Sequence, residues 1–246
     1  EPEVRVQVGN LNVPIQDYFS NYPPMIRFID LSELDGNLLI RPQHTQELIF
    51  PDERFEVWNW EGVDLTKESI WKNGVKRDDS IQARVAKQFV ESNFDIVFDD
   101  DAPGESADLV CLKEEEDYIK LVLVHCKFTK GQTAGERVKD VVEVSSQAVR
   151  SAKWKWKFKD LCRHLSERER RLSTEFRPTR FLSGQASEVN KFLKLSRFKE
   201  IKSEIIIVQP GLSKANHTPD QVAVLASAYS YLKETIGVNL DIICSY

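Results

Sequence analysis

The stretch LVLVHCKFTKG, residues 121–131, joins a run of apolar side chains to His125, Cys126 and Lys127. Four apolar residues in succession are typical of a buried strand. Successive side chains of a strand alternate, so His125 and Lys127 share one face and Cys126 lies on the other. Desolvating a lysine without a partner costs several kcal/mol. This lysine must therefore meet a partner, and the stretch predicts a functional site at the end of a strand.

Length and composition fit a globular protein of one large domain, or of a small domain packed on a larger one. Of the 246 residues, 41% are hydrophobic and 30% are charged, which excludes an intrinsically disordered chain. No apolar run approaches the ~18 residues of a membrane span, and the N-terminus has no signal-peptide pattern. We therefore expect a cytoplasmic protein that does not bind membranes. Since the chain starts at Glu1 and not at Met, we also expect a domain cut from a longer protein or a processed chain.

The four cysteines are far apart in the sequence and form no CxxC pair. This spacing suggests neither a zinc knuckle nor a disulfide framework. Charge, in contrast, is strongly segregated along the chain. Residues 1–126 have 26 acidic and 12 basic side chains, and residues 127–203 have 9 acidic and 20 basic ones. This pattern favours an acidic cluster that holds a cation beside a basic surface that holds a polyanion, although a dipolar surface without a partner has the same pattern.

Two regions differ in their predicted secondary structure, with a boundary near residue 78. Residues 1–78 contain short β-like runs at 5–8, 25–31, 37–42 and 55–63, separated by turn-forming residues. They predict a small β-rich N-terminal subdomain. Residues 79–246 alternate between helices and strands and predict an α/β domain. We expect helices over 79–92, 136–157 and 218–236, and strands over 94–98, 107–112, 119–128, 204–209 and 238–245.

The predicted order is helix, three-strand meander, helix, strand, helix, strand. This order, with Asp108 at the start of the second strand and Lys127 at the end of the third, resembles the PD-(D/E)xK nuclease superfamily, particularly its Mrr-like restriction and Holliday-junction-resolvase branch. The resemblance spans residues 79–246 and implies a restriction-endonuclease-like core. The motifs GESAD (104–108), VHCKFTKG (124–131), AGERVKD (134–140), EVSSQA (143–148) and IVQPGLSK (207–214) resemble more specifically a nuclease-like domain that follows helicase-type ATPases in bacterial anti-phage and restriction systems.

The resemblance implies a metal-dependent DNA endonuclease domain that acts in restriction or anti-phage defence, with a helicase-type ATPase domain or subunit as a partner. A second function stays open: an inactive module of the nuclease fold that binds nucleic acid or a partner protein without cutting it.

Hydrolysis of a phosphodiester bond needs a divalent cation and a positive group that stabilises the developing charge. Mg²⁺ prefers oxygen ligands. We expect those ligands to be Asp108, Glu105 and the backbone carbonyl of Cys126, with Lys127 stabilising the charge. His125 departs from the superfamily, which carries Glu or Asp at that position.

Three consequences of this departure stay open. His125 acts as a general base or as a nitrogen ligand, which would shift the preference toward Mn²⁺; or Glu105 supplies the missing carboxylate; or the site is inactive and binds DNA only. The resemblance implies that Asp108, His125 and Lys127 are catalytic.

Two glutamines and a basic segment complete the candidate site. Gln82 and Gln147 support the metal or the DNA, or are only surface helix residues. The segment KWKWKFK, residues 153–159, interleaves lysines with aromatic side chains, which suits phosphates and unpaired bases. Its aromatic residues could equally be core residues. The expected DNA-binding residues are Lys130, Arg137, Arg150, Lys153, Lys155 and Lys157.

Overall fold

A computed structural model describes residues 3–28, 32–41, 49–175 and 178–246. The chain divides into two compact units, residues 1–47 and residues 48–246. The domain boundary predicted near residue 78 stays a prediction. Residues 49–78 belong to the second unit, which contains every candidate site residue. Among the described helices, none has both the length and the apolar character that a membrane crossing requires.

The first unit consists of short strands and one helix. Strand β1 (Arg5–Val8) pairs with β2 (Leu11–Pro14), and helix α1 (Ile15–Asn21) follows directly. The turn between β1 and β2 contains Gly9 at φ 58°, a conformation that glycine adopts without steric cost. Strands β3 (Met25–Arg27), β4 (Glu33–Asp35) and β5 (Leu38–Ile40) form an antiparallel sheet. The ends of two predicted strands, residues 29–31 and 42, lie outside the described residues.

The second unit is a mixed α/β structure built around a seven-stranded sheet. Its strands are β6 (Phe55–Val57), β9 (Ile96–Asp99), β10 (Leu109–Glu114), β11 (Tyr118–Cys126), β12 (Phe181–Ser183), β13 (Glu200–Ser213) and β14 (Asn239–Ser245). Their order across the sheet is β12-β9-β10-β11-β13-β14-β6. Strands β7 (Trp71–Lys72) and β8 (Val75–Lys76) form a separate hairpin.

The predicted three-strand meander is present. Strand β10 pairs antiparallel with both β9 and β11, and its partners include Cys111 with Val97 and with Val122. On its other edge β11 pairs parallel with β13 over nine residue pairs, from Tyr118–Glu200 to Cys126–Val208. Strands β13, β14 and β6 continue in parallel. The end of β11 that carries His125 therefore has β13 on one side and Asp108, the residue just before β10, on the other.

Helices cover both faces of this sheet. Helix α2 (Ile81–Glu91) packs on one face through its buried apolar residues, together with the side chains of residues 60, 65 and 70. Helices α3 (Val138–Ser151), α4 (Phe158–Thr174), α5 (Ala186–Leu195) and α6 (Pro219–Ser230) contribute buried side chains to the core on the other face. Short helical turns occupy Asp52–Arg54, Ala152–Lys155 and Tyr231–Ile236, the last of them π-helical.

The helix predicted over 79–92 is confirmed, and its first turn is capped by Ser80, whose side chain accepts a hydrogen bond from the N–H of Ala83 at 3.2 Å. The predicted helix over 136–157 is shorter, since it ends at Ser151 and continues as a 3₁₀ turn. Helix α4, strand β12 and helix α5 were not predicted. Helix α4 is highly charged, and a few buried side chains such as Leu161 and Leu165 anchor it, so its sequence pattern is weak.

Candidate functional site

Asp108 lies immediately before β10, and its carboxylate is held from two sides. Oδ2 accepts a hydrogen bond from the backbone N–H of Cys126 at 2.7 Å, and Oδ1 accepts one from Nε2 of Gln82 at 3.1 Å. The side chain is buried. Strand β11 and helix α2 together fix the orientation of this carboxylate. The contact of Cys126 is made by its N–H, and the predicted ligand role of its carbonyl stays a prediction.

Three carboxylates meet beside Asp108. The ligand oxygens of Asp101, Glu105 and Asp108 lie within 4.8 Å of one another, and no other such group of carboxylate, imidazole and thiol ligands occurs among the described residues. Two of the three residues were predicted as metal ligands, and Asp101 was not. We name Asp101, Glu105 and Asp108 the acidic group.

Burial and nearby negative charges raise the pKa values of Asp108 and Glu105. Burial raises the pKa of Asp108 well above its usual range; the N–H of Cys126 opposes this effect, and the charges of Asp101, Glu105 and Glu68 add to it. Burial also raises the pKa of Glu105, and Asp101 and Asp100 add to the increase. A cation bound by these carboxylates would lower the free-energy cost of burying their negative charges, because it compensates those charges.

The partners of Lys127 are two glutamates. Its Nζ lies 2.9 Å from Oε1 of Glu143 on α3 and 3.5 Å from Oε2 of Glu68. Its backbone N–H donates to the carbonyl of Val208 on β13 at 2.9 Å. The side chain is only 9% exposed. The desolvation cost expected for this lysine is thus offset by ion pairs inside the protein.

Glu68 is a site residue that the sequence did not reveal. Besides pairing with Lys127, its Oε2 accepts a hydrogen bond from the N–H of Phe128 at 2.8 Å. Its backbone carbonyl accepts one from the N–H of Gln82 at 3.1 Å. Burial raises the pKa of Glu68, and the N–H of Phe128 and the charge of Lys127 counteract the increase. In the sequence, Glu68 is recognisable only as an acidic residue that precedes helix α2.

Gln82 is fully buried, so the alternative that it is a solvated helix residue does not hold. Its Oε1 accepts a hydrogen bond from the N–H of Ile70 at 3.1 Å, while its Nε2 donates to Asp108. The amide therefore joins the segment before α2 to the acidic group.

His125 lies beside the acidic group, not in it. The residue is 2% exposed and, among the described residues, neither ring nitrogen has a hydrogen-bond partner. It lines a cavity of about 210 Å³ together with Glu105, Gln147 and Arg150. Burial, with a contribution from Arg150, lowers the pKa of His125 to about 3. The imidazole is therefore neutral at physiological pH, and its predicted role as a base or ligand stays a prediction.

A run of three aspartates at a strand end, residues 99–101, is typical of a solvated turn, but that interpretation is wrong for the first two. Asp99 is buried and pairs with Arg180 at 2.6 Å. Asp100 is also buried and lies 2.6 Å from Nε of Arg168 and 2.9 Å from Nε2 of His164. These ion pairs connect the loop that carries the acidic group to the rest of the domain.

The expected DNA-binding residues do not form one uniform surface. Arg137 pairs with Asp140 at 3.2 Å, and Nζ of Lys155 donates to the carbonyls of Ile236 and Gly237. The other four are exposed, and two of them line the cavity beside His125. They are Lys130, Arg150, Lys153 and Lys157.

The aromatic residues of KWKWKFK divide between core and surface. Phe158 is buried, Trp154 is partly buried against the same core, and Trp156 is 70% exposed. The core alternative therefore holds for Phe158, while Trp154 lines the cavity and Trp156 faces solvent.

No protein-family model, no curated protein and no solved structure matches the chain. The motifs therefore remain the basis of the resemblance to PD-(D/E)xK nucleases.

Proposed function

We propose that residues 48–246 are a divalent-metal-dependent DNA endonuclease domain with a restriction-endonuclease-like core. The observation that carries the proposal is the placement of Asp108. Its carboxylate belongs to the acidic group, whose ligand oxygens all lie within 4.8 Å of one another, and it accepts a hydrogen bond from Cys126, the residue next to Lys127. Carboxylate ligands and a lysine at the ends of neighbouring strands are the groups that phosphodiester hydrolysis requires.

The order of elements supports the same function. Helix α2, the meander β9-β10-β11, helix α3, strand β13, helix α6 and strand β14 occur in the order that the resemblance implies. Helix α4, strand β12 and helix α5 are inserted between α3 and β13, and β12 extends the sheet beside β9.

The donor set fits Mg²⁺ or Mn²⁺. Two ligands on opposite sides of Mg²⁺ lie about 4.2 Å apart, since each bond is about 2.1 Å long. The ligand oxygens of the acidic group lie within 4.8 Å of one another, which is close to this distance. All of these donors are hard oxygens. When bound, the cation would polarise the phosphate and lower the pKa of an attacking water.

The residues of the chain have separate tasks in this proposal. Asp108, Glu105 and Asp101 hold the cation, and Gln82 and the Cys126 N–H fix the orientation of Asp108. Lys127 stabilises the negative charge that develops on the phosphate, and the phosphate must compete for it with Glu143 and Glu68.

The expected partners follow from the motifs. We propose DNA as the substrate, a role in bacterial restriction or anti-phage defence, and a helicase-type ATPase as a partner domain or subunit. Basic side chains outnumber acidic ones in residues 127–203, and Arg150 and Lys153 among them are exposed. Both observations support a polyanionic substrate.

A second function is an inactive module that binds nucleic acid or a partner protein. Two observations favour it: His125 lies outside the acidic group, and Lys127 is paired to two carboxylates. In this alternative the acidic group stabilises the fold only when a cation is present.

Cleavage assays decide between the two functions. Supercoiled plasmid, single-stranded DNA and RNA are incubated with the chain in Mg²⁺ or Mn²⁺, alongside Asp108→Asn and Lys127→Ala variants. As a matched control, Asp117→Asn changes an exposed aspartate in the turn between β10 and β11. We expect DNA cleavage that each site variant lowers about 100-fold or more and the control leaves unchanged. Equal cleavage by all variants, or none by any, would refute the endonuclease proposal.

A further inference from the structure

The cavity beside His125 is separate from the ion pairs of Lys127. It lies between the loop that contains Gly104, Glu105 and Ser106, the end of β11, and the end of α3 with the turn that follows. Its volume of about 210 Å³ is below the roughly 300–1,000 Å³ of sites for drug-sized ligands. A ligand smaller than a drug-sized molecule would fill it.

Three polar atoms in this region are buried without a partner among the described residues: both ring nitrogens of His125 and Oε1 of Gln147. Each unsatisfied buried polar atom is costly, and such atoms are rare in folded proteins. A neutral imidazole has one donor and one acceptor, and the amide oxygen is an acceptor. The complementary ligand therefore offers both N–H donors and an acceptor.

Charged and aromatic side chains also line the cavity. Arg150 and Lys153 are exposed residues that line it, and Nζ of Lys153 lies 5.2 Å from the ring centroid of Trp154, which also lines it. One carboxylate, Glu105, lines it as well and belongs to the acidic group. A ligand here would meet an aromatic ring, two cations and the candidate metal site.

We propose that this cavity binds one unstacked nucleobase of the DNA strand, with the adjoining phosphate on Arg150 and Lys153; the inference rests on the proposed nuclease function and names how its substrate is held. A phosphate in the cavity itself would place its acceptor oxygens against Oε1 of Gln147 and the carboxylate of Glu105, which are also acceptors. A base edge has donors and acceptors together, and its face can pack on Trp154.

The first experiment measures binding without cleavage. The whole chain is titrated in EDTA into fluorescein-labelled single-stranded DNA, either intact or with one abasic site placed at each position in turn, and anisotropy is recorded. We expect an abasic site at one position to weaken binding about tenfold. Competition separates the ligand sources: deoxynucleoside 5′-monophosphates should displace the DNA at lower concentrations than deoxyribose 5-phosphate or inorganic phosphate.

Variants assign the effect to the cavity. Gln147→Leu keeps the approximate shape of the side chain and removes Oε1, so intact and abasic DNA should bind it with equal affinity. Arg150→Gln should weaken binding to both DNAs equally and reduce the salt slope by about one. The exposed Arg170→Gln on α4 is the matched control and should change neither. Thermal unfolding verifies that each variant is folded. If Gln147→Leu does not fold, the abasic scan of the unaltered chain still tests the inference.

Equal binding of intact and abasic DNA at every position would overturn the inference, as would equal competition by inorganic phosphate. Cleavage in Mg²⁺ or Mn²⁺ is measured separately. If the chain cuts DNA but binds it without regard to the bases, the cavity inference fails and the nuclease stands. If binding depends on one base but no metal ion supports cleavage, the nuclease proposal fails and the cavity inference stands.

Discussion

Nζ of Lys127 donates a hydrogen bond of 2.9 Å to Oε1 of Glu143, although the lysine is buried and the glutamate is half exposed on α3. Burial alone would lower the pKa of Lys127, but Glu143 and Glu68 together raise it above its ordinary value. The ammonium is therefore charged throughout the neutral pH range. A phosphate that approaches Lys127 meets a negative charge at Glu143.

Replacing Glu143 by Gln removes that negative charge and keeps the side-chain shape. We expect Glu143→Gln to tighten DNA binding several-fold at low salt, because it removes the repulsion of phosphate beside Lys127. Anisotropy titrations of labelled DNA in EDTA measure the change. Glu116→Gln, in the exposed turn between β10 and β11, changes the net charge equally and should have a smaller effect. Equal tightening by both variants would assign the effect to net charge and not to this site.

Gln82 is the position at which one more carboxylate could join the acidic group. We expect Gln82→Glu to lower the melting temperature in EDTA, because it buries a further negative charge beside Asp108. Added Mg²⁺ or Mn²⁺ should restore stability in this variant more than in the unaltered chain. Calorimetry with and without each cation measures the difference. A variant that melts at the same temperature with and without cation would contradict a metal site here.

Asp100 anchors the loop of the acidic group. Its Oδ2 accepts hydrogen bonds of 2.7 Å from both the N–H and the hydroxyl of Ser106, and Oδ1 lies 2.6 Å from Nε of Arg168. Asp100→Asn leaves the guanidinium without its buried counter-charge. We expect the free energy of unfolding to fall by about 3 kcal/mol, measured by chemical denaturation. Asp117→Asn, which is exposed, should change it little, and a comparable loss in both variants would contradict the anchoring role.

The four cysteines are free and buried. Burial raises the pKa of Cys162 to about 12 and that of Cys244 to about 11, from ordinary values near 9. The unfolded chain therefore releases these thiol protons first, and the free energy of unfolding should fall as the pH rises from about 9 to about 11. At about pH 8, Ellman's reagent should modify the thiols only after denaturation. Rapid modification of the native chain would contradict their burial.

Patterns of neighbouring residues in the sequence predicted most helices and strands of the second unit. Ser80 directly precedes the amphipathic run of helix α2, and short polar stretches separate the apolar runs of the meander, so both can be predicted from neighbouring residues. The same pattern identified Asp108 and Lys127 as residues at strand ends. In each case the deciding interaction lies within a few residues of the chain or follows from strand alternation.

The residues that sequence reasoning missed depend on distant contacts. Glu68 reaches the N–H of Phe128 across 60 positions of the chain, and no periodicity signals such a pair. Asp99 and Asp100 have the composition of a solvated turn, but they are buried and paired with Arg180, which directly precedes β12, and with Arg168 on α4. The cavity likewise depends on α3 ending beside the loop of residues 104–106, which the sequence does not specify.

The parallel pairing of β11 with β13 has a consequence for biosynthesis. Residues 118–126 complete their hydrogen bonding only with residues 200–208, so the ribosome must make some eighty further residues before this edge is filled. The N–H of Lys127 finds its acceptor, Val208, in the same late segment. A nascent chain that has not reached β13 therefore lacks a formed site. Any nuclease activity of this domain would be withheld from the cell's own DNA until translation of the domain is nearly complete.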